Sequence, residues 1–94
     1  SQSHSLRADT DLKKRAEAYL RTAISIDPNM FLAHFHMGML QKNRGHAGQA
    51  IASFNRALQL NPSFAPAYAN LGHALMMQGK LDEALNNVRH AMHI

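Results

Sequence analysis

The feature that most constrains this chain is a recurrence of glycine, alanine and proline at a fixed interval of about 34 residues, which we call the repeat interval. The aligned pairs are Gly38 with Gly72, Gly45 with Gly79, Ala50 with Ala84, Ala57 with Ala91, and Pro28 with Pro62. A period of this length is the signature of stacked structural repeats, each of which is one small supersecondary unit. The chain is therefore predicted to be built from repeats stacked in a row.

The matched residues also mark where helices end. Gly45 and Gly79 stand where a helix must finish in a left-handed conformation, which a residue without a Cβ adopts at little cost. Pro28 and Pro62 each stand just after the second helix of a repeat, which a proline cannot continue. Apolar residues recur at helical spacing between these points, so each repeat is predicted to be a helical hairpin. The predicted helices span residues 10–26, 32–44, 48–60, 66–78 and 82–93.

Two glycines lie inside predicted helices. Gly38 and Gly72 should each cost about 1 kcal/mol of helix stability relative to alanine. We expect close packing to offset this cost, because a residue without a side chain lets the paired helix approach at Ala50 or Ala84.

In combination, these residues resemble the tetratricopeptide repeat (TPR). The second repeat carries the TPR consensus at Ala67, Tyr68, Asn70, Leu71, Gly72, Gly79, Asp82, Glu83, Ala84, Leu85 and Ala91. The first repeat matches at Gly38, Gly45, Ala50, Phe54, Ala57 and Pro62, and departs from the family at Gln41, Gly48 and Gln49. A partial repeat before it matches through Ala16, Leu20, Ala23, Asp27 and Pro28.

The resemblance implies an all-α fold, a right-handed superhelical solenoid of antiparallel helix hairpins. It divides the chain into a tail or linker at residues 1–9, the second helix of a partial repeat at 10–30, a repeat at 31–64, and a repeat at 65–94 that stops before its final turn. These are about two and a half repeats, which we expect to belong to a longer TPR protein.

The resemblance further implies a scaffold that binds a peptide or helix of a partner protein in a concave groove lined by the first helix of each hairpin. Carried over, the groove residues are Phe35, His36, Met39, Lys42, Asn43, Asn70, His73, Met76 and Met77. Methionine is flexible and polarisable, so such a groove suits apolar recognition; alternatively, Met76 and Met77 are simply exposed or fill gaps. Asn70 occupies the place where related proteins bond a peptide backbone, and His36 occupies that place one repeat earlier.

Some TPR proteins hold acidic C-terminal tails in a carboxylate clamp of cations and asparagines. The corresponding places here carry Phe35, Met39 and Asn70, so the asparagine is the one clamp residue present. We therefore expect no binding of such tails. The resemblance favours instead a partner whose apolar anchors contact Phe35, Met39, Met76 and Met77.

Catalytic and metal sites are not expected. Of the seven histidines, His34 and His36 point to different sides of a helix, while His90 and His93 share a face without a nearby carboxylate or cysteine. Asp82 and Glu83 are explained as favourable charges at a helix N-terminus. No nucleophile is paired with a base by any motif, so we expect neither enzyme activity nor a cofactor.

Charge and hydropathy bear on the partner and the location. The net charge of +4 comes from cations that are mostly dispersed, so nucleic acid is not expected as a ligand. Two alternatives stay open: an RNA-binding helical repeat of the pentatricopeptide kind, and a regulatory TPR segment of a larger enzyme or transcription factor. The sequence has no cysteine, no apolar run long enough for a bilayer and no signal peptide, which favours a cytoplasmic protein without a membrane partner. The exposed terminal helices, above all the face near Leu85, Val88 and Met92, predict self-association.

Overall fold

The computed structural model describes the backbone of residues 2–94 and the side chains from residue 7 onward. Within this range the chain forms helices and turns, without a strand. The helices are α1 (Gln2–Ile26), α2 (Phe31–Asn43), α3 (Ala47–Leu60), α4 (Ala65–Met77) and α5 (Leu81–Met92). Helices α2 and α3 pair as one hairpin and α4 and α5 as the next, with α3 packed on α4 and α1 packed on α2.

Both hairpins turn at a glycine with positive φ. Gly45 has φ 80° and Gly79 has φ 77°. In the first hairpin the N–H of Gly45 donates to the carbonyl of Lys42 at 2.9 Å, and the N–H of His46 donates to the carbonyl of Gln41 at 2.8 Å. This pair of bonds is the Schellman motif, which satisfies carbonyls left free at a helix C-terminus. The same pair recurs around Gly79, so two turns of one type set the helices antiparallel.

Within each hairpin a glycine of the first helix lies directly against the second helix. A Cβ added to Gly38 would lie 2.7 Å from Cε1 of Phe54, and one added to Gly72 would lie 2.8 Å from Cγ2 of Val88 and 3.0 Å from the carbonyl oxygen of Ala84. Distances this short leave no room for a methyl group. Glycine therefore allows the close helix contact on which each hairpin is built.

Four phenylalanine rings join the two hairpins. The rings of Phe35 and Phe64 meet edge to face at a centroid distance of 5.0 Å, and Phe31 meets Phe64 at 5.1 Å. Phe35 also lies 5.8 Å from Phe54, which is fully buried. Such ring pairs stabilise beyond the area they bury. The rest of the buried core consists of Ala33, Met37, Ala50, Ala57, Ala67, Leu71, Ala74, Leu75 and Ala84.

Helix α1 is longer than predicted, since it begins at Gln2 rather than near residue 10. The predicted tail or linker at residues 1–9 is thus helical from Gln2, and Ser1 lies outside the described residues. The physical reason is that Asp11 stands one repeat interval before Gly45, so this unit lacks the glycine that ends the first helix of the other units. No proline or glycine interrupts the chain before Pro28, and the helix runs straight through.

An ion-pair network fastens α1 to the end of α2. One carboxylate oxygen of Glu17 accepts a hydrogen bond from Arg21 at 2.7 Å, and the other accepts one from Arg44, which follows the last residue of α2. The hydrogen bond from Arg21 and the charge of Arg44 lower the pKa of Glu17 below its ordinary value.

No described helix is long and apolar enough to cross a membrane.

Candidate partner-binding surface

The predicted groove residues lie on the first helices of the two hairpins, α2 and α4, which contact each other. On each helix these residues recur at intervals of three or four positions, with adjacent pairs at 35/36, 42/43 and 76/77, so they lie along one broad side of the helix. We call the combined surface the groove face. The repeat interval pairs its members as His36 with Asn70, Met39 with His73, Lys42 with Met76, and Asn43 with Met77.

A hydrogen bond between two half-buried side chains crosses the groove face. The Nζ of Lys42 donates to Oδ1 of Asn70 at 2.9 Å. The Nδ2 of Asn70 in turn donates to the carbonyl oxygen of Pro66 at 2.8 Å. An amide offers two donors and two acceptor positions, so these two bonds leave Asn70 with one donor and one acceptor position unused.

The apolar part of the groove face lies at the end of α4. Met76 is 54% exposed and Met77 is 44% exposed, next to the exposed imidazole of His73. Phe35 and Met39, the other two predicted anchors, are half-buried and pack against the hydrophobic core. They support the face from beneath, and the two methionines of α4 are the anchors open to solvent.

Two of the histidines considered as metal ligands, His34 and His90, make separate local contacts and do not share a site. The Nε2 of His34 lies 2.8 Å from the carbonyl oxygen of Pro28. The ring of His90 lies edge to face against Tyr68, with centroids 4.4 Å apart. Among the described residues, no three metal-ligating side chains come together.

A second concave feature, which the sequence analysis missed, lies between α1 and α2. This α1/α2 cleft has a volume of about 450 Å³ and is lined by Ala16, Tyr19, Leu20, His36, Met39, Leu40 and Asn43. Three of these residues also belong to the groove face, which the cleft adjoins. The sequence contained one signal for this cleft. Tyr19 stands one repeat interval before Ser53, so a large aromatic side chain occupies a position that is polar in the first hairpin.

Two family profiles match separate stretches of the chain. One described as "TPR repeat" matches residues 43–79, and another described as "Tetratricopeptide repeat" matches residues 5–30. The chain belongs to the tetratricopeptide-repeat family. Its TPR fold is that of solved helical solenoids: it superimposes on the crystal structure of MamA with a TM-score of 0.84 at 26% identity, over 95% of this chain and 52% of that one.

Curated relatives match a limited stretch of much longer proteins. The human DnaJ homolog subfamily C member 3 is 30% identical over 69 residues, covering 73% of this chain and 14% of its own length. The Caenorhabditis elegans cell division cycle protein 27 homolog is 48% identical over 44 residues, covering 47% of this chain and 6% of its own. This TPR chain therefore spans less than a sixth of the length of either relative.

The family assignment gives each helix its place in the TPR unit. Helices α2 and α4 are first helices, and α3 and α5 are second helices. The profile match at residues 5–30 covers most of α1, which carries the second-helix residues Ala16, Leu20 and Ala23. Because α1 is continuous from Gln2, residues 2–26 do not fold back to supply a first helix beside it.

Proposed function

We propose that this TPR chain is a non-enzymatic scaffold that binds a peptide or helix of another protein across the groove face, without a cofactor. The observation that carries the proposal is the pair of solvent-exposed methionines, Met76 and Met77, on the same helix as Asn70, which is hydrogen-bonded to Lys42. A polar backbone-binding group next to apolar anchors is what peptide recognition needs. A cytoplasmic location is part of the proposal.

The chemistry of the surface favours a ligand with apolar side chains. Completing the burial of one half-exposed methionine contributes about 1 kcal/mol, taken as half of the value for a fully buried side chain. Methionine adapts its shape to a ligand, so the groove face would accept several apolar sequences. The single amide and lysine would then orient the ligand backbone.

A peptide display selection tests this assignment. Sixteen-residue peptides would be selected on the wild-type chain and their affinities measured against the double variant Met76→Asp/Met77→Asp. We expect peptides with two apolar anchors and at least a tenfold loss of affinity on the double variant. The matched control is Leu85→Asp, an equally exposed apolar position on α5, which should bind as wild type does. Selected peptides that bind the double variant as tightly as wild type would refute the groove assignment.

Acidic C-terminal tails should not be ligands. The second TPR domain of Spaghetti (RPAP3), solved with the HSP90 peptide SRMEEVD, has a TM-score of 0.82 to this chain at 24% identity, over 85% of this chain and 74% of that one, and therefore shares its fold. In this chain the two places that a clamp would need are occupied by Phe35 and Met39, which are apolar and half-buried. Titration calorimetry with SRMEEVD should detect no binding. Micromolar affinity that disappears when the terminal carboxylate is amidated would contradict the apolar-groove assignment.

Self-association through α5 is the second part of the proposal. Leu81, Leu85 and Met92 are exposed on this helix, whereas Val88 packs against Gly72 and does not belong to the exposed face. An apolar face of this kind is seldom left open in a monomer. Sedimentation across a wide concentration range should reveal a dimer or larger species that Leu85→Asp disperses. A strict monomer at high concentration would count against it.

A further inference from the structure

The two complete hairpins share one contact, in which a glycine of the first helix lies on a stripe of the second. Gly38 lies on Phe54, and Gly72 lies on Val88 and on the backbone of Ala84. Phe54 and Val88 hold equivalent places, one repeat interval apart. The second helix of each unit is thus shaped to receive a helix whose central residue has no side chain.

Helix α1 carries the same stripe, but no helix among the described residues packs on it as a first helix. Ala16 and Leu20 stand one repeat interval before Ala50 and Phe54. Among the described helices, α1 packs against α2 alone. The space that a first helix would fill is the α1/α2 cleft, whose walls include Ala16 and Leu20. The cleft therefore continues the series of helix contacts found inside the two hairpins.

One position beside this stripe is apolar on α1 and polar in the first hairpin. In that hairpin, Ser53 Oγ donates to Oε1 of Gln41 on the paired first helix at 2.6 Å, so this position faces the first helix. Its equivalent on α1 is Tyr19, which is 76% exposed, and Leu12, seven residues earlier on the same face, is 61% exposed. Two large apolar side chains exposed on the same face of α1 indicate a surface that another element covers.

We propose that the α1/α2 cleft binds an amphipathic helix of a partner protein in the place of a first helix. The helix would carry glycine where it crosses Ala16 and Leu20, and apolar side chains toward Tyr19 and Met39. A second copy of this chain does not fit the description, because its glycine-bearing helices α2, α3 and α4 are already packed against one another, and its outer helices α1 and α5 contain no glycine. This site adjoins the groove face and shares His36, Met39 and Asn43 with it, but it does not involve Met76 and Met77.

A fluorescent peptide with the sequence of residues 64–79 is a suitable probe, since it contains α4 and its central Gly72. Its affinity for the intact chain would be measured by anisotropy and compared with that of the same peptide carrying Gly72→Leu. On the protein side, Ala16→Leu narrows the cleft, while thermal denaturation followed by circular dichroism checks folding. We expect the peptide change and the protein change each to weaken binding at least tenfold, and Leu85→Asp to leave it unaltered.

Several outcomes would overturn the proposal. No binding at millimolar peptide, equal binding of the two peptides, or unaltered binding to a folded Ala16→Leu variant would each do so. If Met76→Asp/Met77→Asp in the protein abolished binding of the unchanged peptide while Ala16→Leu did not, the peptide would lie on the groove face. That result would refute the cleft site and leave the proposed function standing. A dimer of the free protein that Ala16→Leu disperses would show that a second copy occupies the cleft.

Discussion

Replacing Gly38 with alanine tests whether close helix approach holds the first hairpin together. The new methyl group would lie 2.7 Å from Cε1 and 2.8 Å from Cδ1 of Phe54. The Phe54 ring is fully buried and packs against Phe35, so it cannot turn away without displacing its neighbours. Either α2 and α3 must separate or the aromatic cluster must shift.

The magnitude follows from two opposing effects. Alanine in place of glycine inside a helix stabilises the folded state by about 1 kcal/mol. Overpacking a buried contact by one methyl group costs about 1–3 kcal/mol. We expect a net loss of about 1 kcal/mol in the free energy of unfolding, the mid-range overpacking cost less the helix gain. In a domain of this size that loss lowers the melting temperature by roughly 4–8 °C.

Gly48 supplies a matched control in the same hairpin. A Cβ there would have Gln78 Nε2 as its nearest neighbour at 3.6 Å, an ordinary contact. Gly48→Ala should therefore keep the helix gain and raise the melting temperature by a few degrees. Thermal and urea denaturation followed by circular dichroism would measure both variants. A Gly38→Ala protein stabilised as much as Gly48→Ala would refute the close-approach argument.

Three further predictions concern charge, backbone conformation and ligand class. The pKa of Glu17 in the folded protein is lowered by Arg21 and Arg44. Its ion pairs therefore stabilise the fold above pH 4.5, the ordinary pKa, and this stabilisation is lost as the pH falls through the lowered pKa of the folded state. The melting temperature of wild type should exceed that of Glu17→Gln near neutral pH, and the difference should shrink in acid and vanish at the lowest pH. Gly79→Ala should cost about 1–2 kcal/mol in urea denaturation through its positive φ alone, because no atom lies within 4 Å of the new Cβ, and an unchanged midpoint would contradict this. Filter binding should detect no tight complex with single-stranded RNA, and sub-micromolar, steeply salt-dependent affinity would overturn the protein-ligand assignment.

The helices were predictable where the sequence contains residues that interrupt a helix. For α2 to α5 the predicted and observed ends differ by one residue at most, and a positive-φ glycine or a proline stands near each of these boundaries except the end of α5. The start of α1 was predicted eight residues too late. The serines between residues 1 and 5 suggested a tail or linker there, yet serine does not prevent a helix from continuing.

The groove face stays a prediction, and its side-chain exposure was not contained in the sequence pattern. The family resemblance assigns the face to α2 and α4, but it does not report which side chains the neighbouring hairpin covers. Phe35 is half-buried because Phe64, from the turn before α4, packs against it. The bond between Lys42 and Asn70 likewise depends on the distance between two helices, which a residue pattern does not contain.

Stability of the hairpins and recognition at the α1/α2 cleft would rest on the same glycine contact, and this permits a quantitative comparison. If the cleft receives a helix as Val88 and Ala84 receive α4, then Gly72→Ala in the probe peptide introduces the same steric clash as Gly72→Ala in the protein. In both molecules alanine also favours the helix over glycine by about 1 kcal/mol. The free peptide is only partly helical, so part of this stabilisation contributes to its binding free energy when the peptide becomes helical in the cleft. A tenfold change in Kd corresponds to about 1.4 kcal/mol, so the two effects can be compared directly. We expect the peptide's change in binding free energy and the protein's change in stability to have the same sign, both unfavourable. A peptide that binds more tightly with alanine, while the protein is destabilised by it, would show that the cleft uses a different contact.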